Sequence, residues 1–157
     1  MYAIGAKIAH PMHGAGIVHD IIQEKVNGVT RQYYVMNTAA NSMLVMIPVA
    51  SSDEIGVRAI LSEKEIDSIL KDLPKIETED VQNWNRRYRE NMLRIKSGDL
   101  KEVAKVIKNL IVREKERGLS TGERKMLNSA KQIFISEVVL IKNKTYEEIE
   151  QLLYKSV

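Results

Sequence analysis

Near Pro48 the apolar residues of this chain change their spacing, and no single layer of secondary structure can satisfy both patterns. Before it the pattern is that of strands. AGIVHDIIQEKV (15–26) meets VTRQYYVMN (29–37) across Asn27-Gly28, and an Asn-Gly pair between β-rich runs is the strongest short hairpin signal. SMLVMIPV (42–49) adds a third run ending at Pro48, and KIAH (7–10), ahead of Gly14, adds a fourth. So short a meander must bend back on itself to bury one face, which predicts a strongly bent sheet or small barrel of the SH3 or Tudor kind.

After Pro48 the spacing is helical. Ser62 and Glu65 form a capping-box pair ahead of Ile66, Ile69, Leu70 and Leu73, and Pro74 stops that helix. Asp99 with Glu102, Ser120 with Glu123 and Thr145 with Glu148 repeat the same signal. Gly98 and Gly118 stand where a left-handed residue would close the preceding helix. The predicted helices run over 80–96, 100–117, 121–142 and 146–154. Val103, Ile107, Leu110 and Ile111 make one apolar stripe, and Leu127, Ala130, Phe134, Val138 and Ile141 make another, so these helices must pack on each other. The fold class is α+β: residues 1–76 hold the Tudor/SH3-like β-barrel and a helical transition, and residues 77–157 hold a compact all-α domain.

Chemistry is sparse. Cys is absent, which removes disulfides, thiol nucleophiles and thiolate metal sites. His10, His13 and His19 lie within ten residues, but nothing near them supplies a third metal ligand, and HPMHG reads as a turn between strands. Acidic pairs such as Asp53-Glu54 and Glu147-Glu148 suit helix first turns. No catalytic constellation, cofactor motif or metal site emerges, so the expectation is a non-enzymatic protein with no small-molecule substrate. The first dozen residues lack signal-peptide character and no run approaches a membrane span. A soluble, cytoplasmic protein is expected.

Charge is more informative. Residues up to Pro74 carry 6 basic and 8 acidic groups, whereas those after it carry 18 basic and 13 acidic. Between Arg86 and Lys131 there are 14 basic and 6 acidic residues, a net of +8, which makes a focused positive field. Its densest piece is WNRRYR (84–89), where Trp84 and Tyr88 share a helix face and Arg86, Arg87 and Arg89 fan around it. Arg neutralises phosphate while a flat ring stacks on or wedges between bases. Arg124 and Lys125 form a second basic cluster beside a helix start. A lone Trp at the head of an amphipathic helix can equally be a core residue, and both readings of Trp84 stay open at this level. Nothing resembles a helix-turn-helix or finger, so any DNA contact is expected to be largely sequence-independent.

HPMHGAGIV (10–18), EIGVR (54–58), NWNRRYREN (83–91) and RGLSTGERKMLNSAKQI (117–133) resemble the CarD/CdnL family of bacterial RNA polymerase-binding transcription regulators. The resemblance covers nearly the whole chain in the right order. It implies an amino-terminal Tudor-like module that docks on the RNA polymerase β subunit, and a helical domain that contacts promoter DNA at the upstream edge of the transcription bubble. Trp84 matches the family's minor-groove wedge; Arg86, Arg87, Arg89, Arg124 and Lys125 would grip phosphates. At the positions of Glu24 and Met46 family members carry Arg facing polymerase. Docking would then rest on the strand edge Leu44, Val45, Met46 and Ile47, with Lys25 or Arg31 compensating. The alternatives are an adaptor whose helical domain binds an acidic protein, and, further off, a histidine-metal enzyme.

Overall fold

Asn27 and Gly28 both take positive φ, 52° and 78°, as a two-residue turn that follows the right-handed twist of its strands requires. They join β2 (Gly14–Val26) to β3 (Val29–Thr38) in the computed structural model, which describes residues 1–157. With β1 (Lys7–His10), β4 (Leu44–Pro48) and β5 (Arg58–Ala59) they form one antiparallel sheet in the order β4-β3-β2-β1-β5. The register of β2 against β3 slips between Val18 and Asp20, leaving His19 as a bulge residue. A bulge bends its strand. Up to Val18 β2 is mostly buried; beyond the bulge its side chains, and those of β3 from Val29 to Tyr33, are exposed or half-buried, while Tyr34 opposite Ile21 still turns into the core. The inner part closes on Ile8, Val18, Tyr34, Met36, Ile47 and Val57. A short helix α1 (Ser52–Ile55) and the two-residue β5, both too brief to show a period, complete the β-domain.

Five longer helices follow. They are α2 (Glu63–Asp72), α3 (Trp84–Lys96), α4 (Leu100–Arg117), α5 (Thr121–Lys142) and α6 (Tyr146–Lys155). The Ser62/Glu65 and Thr145/Glu148 pairs close complete capping boxes, and Ser120 Oγ accepts the Glu123 N–H. Asp99 instead caps Lys101, which leaves the Glu102 carboxylate to Lys105 and Arg94. Gly118 has positive φ, but its ψ of 169° is extended, so α4 ends without the left-handed helical residue expected there. The helix expected from residue 80 begins at Trp84, because Asn83 accepts the Arg86 N–H, and residues 77–83 form a strap that is neither helix nor strand. Asp80 in that strap pairs with Arg113 and Arg117, and Glu79 pairs with Arg94.

The helical core holds 20 buried apolar residues against 6 in the sheet, so most burial free energy lies in the helices. Ile66, Ile69 and Leu73 belong to that larger core, and α2 therefore packs with the helices that follow it. The two parts are fastened along α5. The Ala15 N–H donates to Ser136 Oγ at 2.7 Å, and that hydroxyl donates to Ile133 O. Gly14, with φ +82°, sits so close that a Cβ there would lie 2.5 Å from Ser136 Oγ. Beside it Arg58 makes two bonds to Glu137, at 2.7 and 2.8 Å, and the Leu61 N–H donates to the same carboxylate at 2.8 Å. Glu137 is 1% exposed, so its charge depends on these partners.

Candidate nucleic-acid interface

Trp84 is the first residue of α3, where the helix leaves the strap, and it lies outside the core with 42% of its surface exposed. Its orientation is nonetheless fixed. The indole stacks on Tyr88 one turn later, with ring centres 5.1 Å apart and planes 20° apart, and its Nε1–H donates to Ser120 Oγ at 3.0 Å. Ser120 is the N-cap of α5, so the ring is held against the start of a second helix. Gly122 lies against both rings: a Cβ there would be in ordinary contact with Trp84 Cζ2 at 3.5 Å and Tyr88 Cε2 at 3.8 Å. A large, rigid, half-solvated aromatic with a satisfied polar edge is suited to meeting another flat ring.

The arginines around it separate into two kinds. Arg86 and Arg89 are exposed; Arg86 leans on Glu90 through an i,i+4 pair of 3.0 Å, and Arg89 carries no ion pair. Arg87 turns inward. It is 8% exposed, bonds Glu123 through Nε and Nη2 at 2.7 and 3.1 Å, and donates through Nη1 to Val81 O at 2.8 Å. The phosphate contact expected of Arg87 is therefore not available to it, because its donors are spent on holding α3, α5 and the strap together. Burial would raise the Glu123 pKa, but the bonds and charge of Arg87, the Ser120 hydroxyl and the charge of Arg113 outweigh it and hold the carboxyl below its ordinary value. On α5, Arg124 is exposed and reaches Glu114 at 3.3 Å, whereas Lys125 is exposed with no carboxylate partner. The exposed cations here with no ion pair are thus Arg89 on α3 and Lys125 on α5, with Arg86 and Arg124 only loosely paired at the surface.

The histidine cluster is a turn lock. His10 Nδ1 accepts the backbone N–H groups of Met12 and His13 at 3.0 and 3.2 Å. Burial, and then the neighbouring His13, push the His10 pKa down to about 4, so the acceptor form persists.

On the β-domain, β4 is an edge strand, paired only with β3. Leu44 and Met46 point outward, 61% and 44% exposed; Val45 is half-buried and Ile47, at 1%, is part of the core. The edge therefore offers Leu44 and Met46 as side-chain contacts, with backbone between. Lys25 is exposed opposite Thr30 in the outer hairpin, beyond the end of β4, and Glu24 lies in register with Arg31. Sequence reasoning missed the roles of Ser120, Glu123 and Glu137 as anchors. For Ser120 and Glu123 the N-cap signal was present, but it says nothing of the second partner each acquires from α3.

Comparison with known proteins bears on both parts. Residues 2–61 match the model of the CarD-like/TRCF RID domain, and residues 68–154 match that of the CarD C-terminal domain. A Bacillus subtilis (strain 168) protein named "Putative transcription factor YdeB" is 33% identical over 150 residues, covering 96% of this chain and 98% of its own length. The CarD C-terminal model over more than half of the chain, the CarD-like/TRCF RID model ahead of it, and a relative matched almost end to end place the chain in the CarD/CdnL family of transcription regulators.

Proposed function

We propose that this chain is a non-enzymatic accessory factor that docks on the RNA polymerase β subunit through its β-domain and stabilises the open promoter complex through its helical domain. The observation that carries the reading is Trp84, a clamped and half-exposed ring at the start of a helix that also carries exposed cations. A ring inserted beside an unstacked base step favours opened DNA and gains nothing from closed duplex. Such differential binding must shift the ratio of the two states. Arg86, Arg89, Arg124 and Lys125 position the domain on phosphates without reading sequence, so promoter choice comes from polymerase. Docking uses the free edge of β4, where backbone pairing needs no particular side chain and Met46 can stand where relatives carry Arg. The net negative charge of the first 74 residues suits a protein partner rather than a polyanion.

The test is Trp84→Ala, followed by a thermal melt and by the decay of a promoter complex. At its observed exposure the substitution should stay well below the roughly 3–5 kcal/mol of a core Trp→Ala change. The expected result is a fold that melts nearly as before, still captured by polymerase, with open-complex lifetime no longer extended. An unchanged lifetime would remove Trp84 from the mechanism.

A further inference from the structure

Behind Trp84 the facing sides of α3 and α5 leave a groove of about 220 Å³. Tyr88 and Met92 come from α3, Lys125 and Met126 from α5, Ile133 forms part of the floor, and Met12 in the turn between β1 and β2 closes the end. We propose that this groove receives a single unpaired nucleobase from DNA opened next to Trp84, a proposal that rests on the wedge reading above.

The size limits the occupant. Pockets that take drug-sized ligands run to roughly 300–1,000 Å³, so this groove suits one flat ring system. Its charge limits the occupant further, since Lys125 is the one ionised side chain on the lining and no carboxylate joins it. The cavity on the strap side of α3 is mixed, lined by Glu79, Asp80, Glu90 and Glu116 but also by Arg87, Arg94 and Arg113. An apolar ring on an anionic tether fits the first groove, whose one charge is positive, better than the second, whose lining is polar and ion-paired. The lining is also adaptable. Three of the chain's seven methionines, Met12, Met92 and Met126, meet here, and thioethers both reshape themselves and contact aromatic rings favourably.

Position supplies the remaining argument. Trp84 stacks on Tyr88, and Tyr88 lines the groove, so the wedge and the groove share a wall. A wedge that parts a base pair leaves one base without its stacking partner, and extruding that base costs least where it is already unpaired. Tyr88 and the methionines would replace the lost stacking while Lys125 meets the adjoining phosphate. Every base has a π-face, so the site is sequence-tolerant.

The experiment uses the full chain at low salt with three DNA probes: blunt duplex, duplex with a short single-stranded extension, and the same fork with an abasic site at its first unpaired position. The intact fork should bind about tenfold tighter than the abasic fork, and 2-aminopurine at that position should change fluorescence on binding. Ser129, exposed at the groove rim, gives a variant that fills it. Ser129→Phe should bring the ratio between the two forks to one, and Met92→Ala, which leaves the groove looser, should lower it about threefold. Equal affinity for the two forks overturns the nucleobase site, even if Trp84→Ala still shortens promoter-complex lifetime and so leaves the wedge standing. Forks that bind no better than blunt duplex, together with a Trp84→Ala lifetime equal to that of the parent, would remove the wedge reading as well. A Ser129→Phe variant that loses polymerase capture while keeping the fork ratio assigns the groove to a protein side chain and likewise overturns the proposal.

Discussion

Arg87 and Glu123, 36 residues apart in the chain, meet as a two-point ion pair, Nε to Oε2 at 2.7 Å and Nη2 to Oε1 at 3.1 Å. The pair ties the start of α3 to the start of α5, the two helix ends that between them hold Trp84. Removing either partner leaves a charge buried without its counterpart, which costs about 3–5 kcal/mol. Arg87→Ala and Glu123→Ala should each lower the melting temperature sharply, and Arg87→Lys should do so too, since an ammonium cannot reproduce the two-pronged geometry. Arg89→Ala, at an exposed and unpaired position, should melt like the parent. A melt of Arg87→Ala unchanged from the parent, with weakened salt-dependent DNA binding, would return Arg87 to the phosphate contacts.

Ser120 serves two donors at once, the Glu123 N–H and the indole N–H. Ser120→Ala should cost about 1 kcal/mol through the lost N-cap. It should also free the ring. Trp84 is the chain's single tryptophan, so its fluorescence anisotropy reports that motion directly and should fall, with promoter complexes decaying faster.

The edge strand β4 separates two outcomes along one short run. Leu44→Glu combined with Met46→Glu alters exposed positions and should leave the melt within about 0.5 kcal/mol while abolishing capture by RNA polymerase. Ile47→Glu places a carboxylate in the β-domain core and should unfold it. Retained capture by the Leu44/Met46 double variant would move docking away from this edge.

Acid should weaken the fold through His10. Its folded pKa of about 4 lies below the ordinary 6.5, so the unfolded chain takes up the proton first. The stability it contributes is fully present above about pH 6.5 and is lost as pH falls through that window toward 4. Glu123, also held below its ordinary value, loses its contribution in more acid solution. His10→Asn keeps an acceptor for the Met12 and His13 N–H groups without titrating. Melting temperatures between pH 4 and 7 should vary less for that variant than for the parent.

Glu137 joins the two parts of the molecule, accepting from Arg58 and Leu61 while the neighbouring Ser136 accepts from Ala15. Glu137→Ala should cost about 3–5 kcal/mol. Glu137→Gln, which keeps the shape and some hydrogen bonding, should cost less and remain folded. If a fixed distance between β4 and Trp84 matters, Glu137→Gln will still be captured by polymerase and still bind duplex DNA, yet shorten open-complex lifetime. Protease cleavage between residues 59 and 63 should quicken in the same variant.

The elements legible in the sequence were those whose determinants lie within a few residues. Asn27-Gly28 set the hairpin because its φ values are a property of two residues. Ser62, Ser120 and Thr145 marked helix starts because each caps an N–H three positions on. The apolar stripes of α4 and α5 identified the helical core for the same reason, since periodicity is local. The family motifs likewise pointed to Trp84, and its exposure is compatible with the role they imply. Tertiary structure decided which side chains those elements leave free. Arg86, Arg87 and Arg89 are equivalent on a helix of unknown surroundings, and Arg87 turns inward only because Glu123 arrives from another helix. Met46 and Ile47 are neighbours of similar character, and the side of the sheet that receives the core makes one a surface and the other a filler. α2, read from sequence as a helical transition after the barrel, buries Ile66, Ile69 and Leu73 among helices that come later in the chain. Local hydrogen bonds and dihedral preferences act over three or four residues, whereas burial and charge pairing depend on groups tens of residues away, and only the folded chain brings those together.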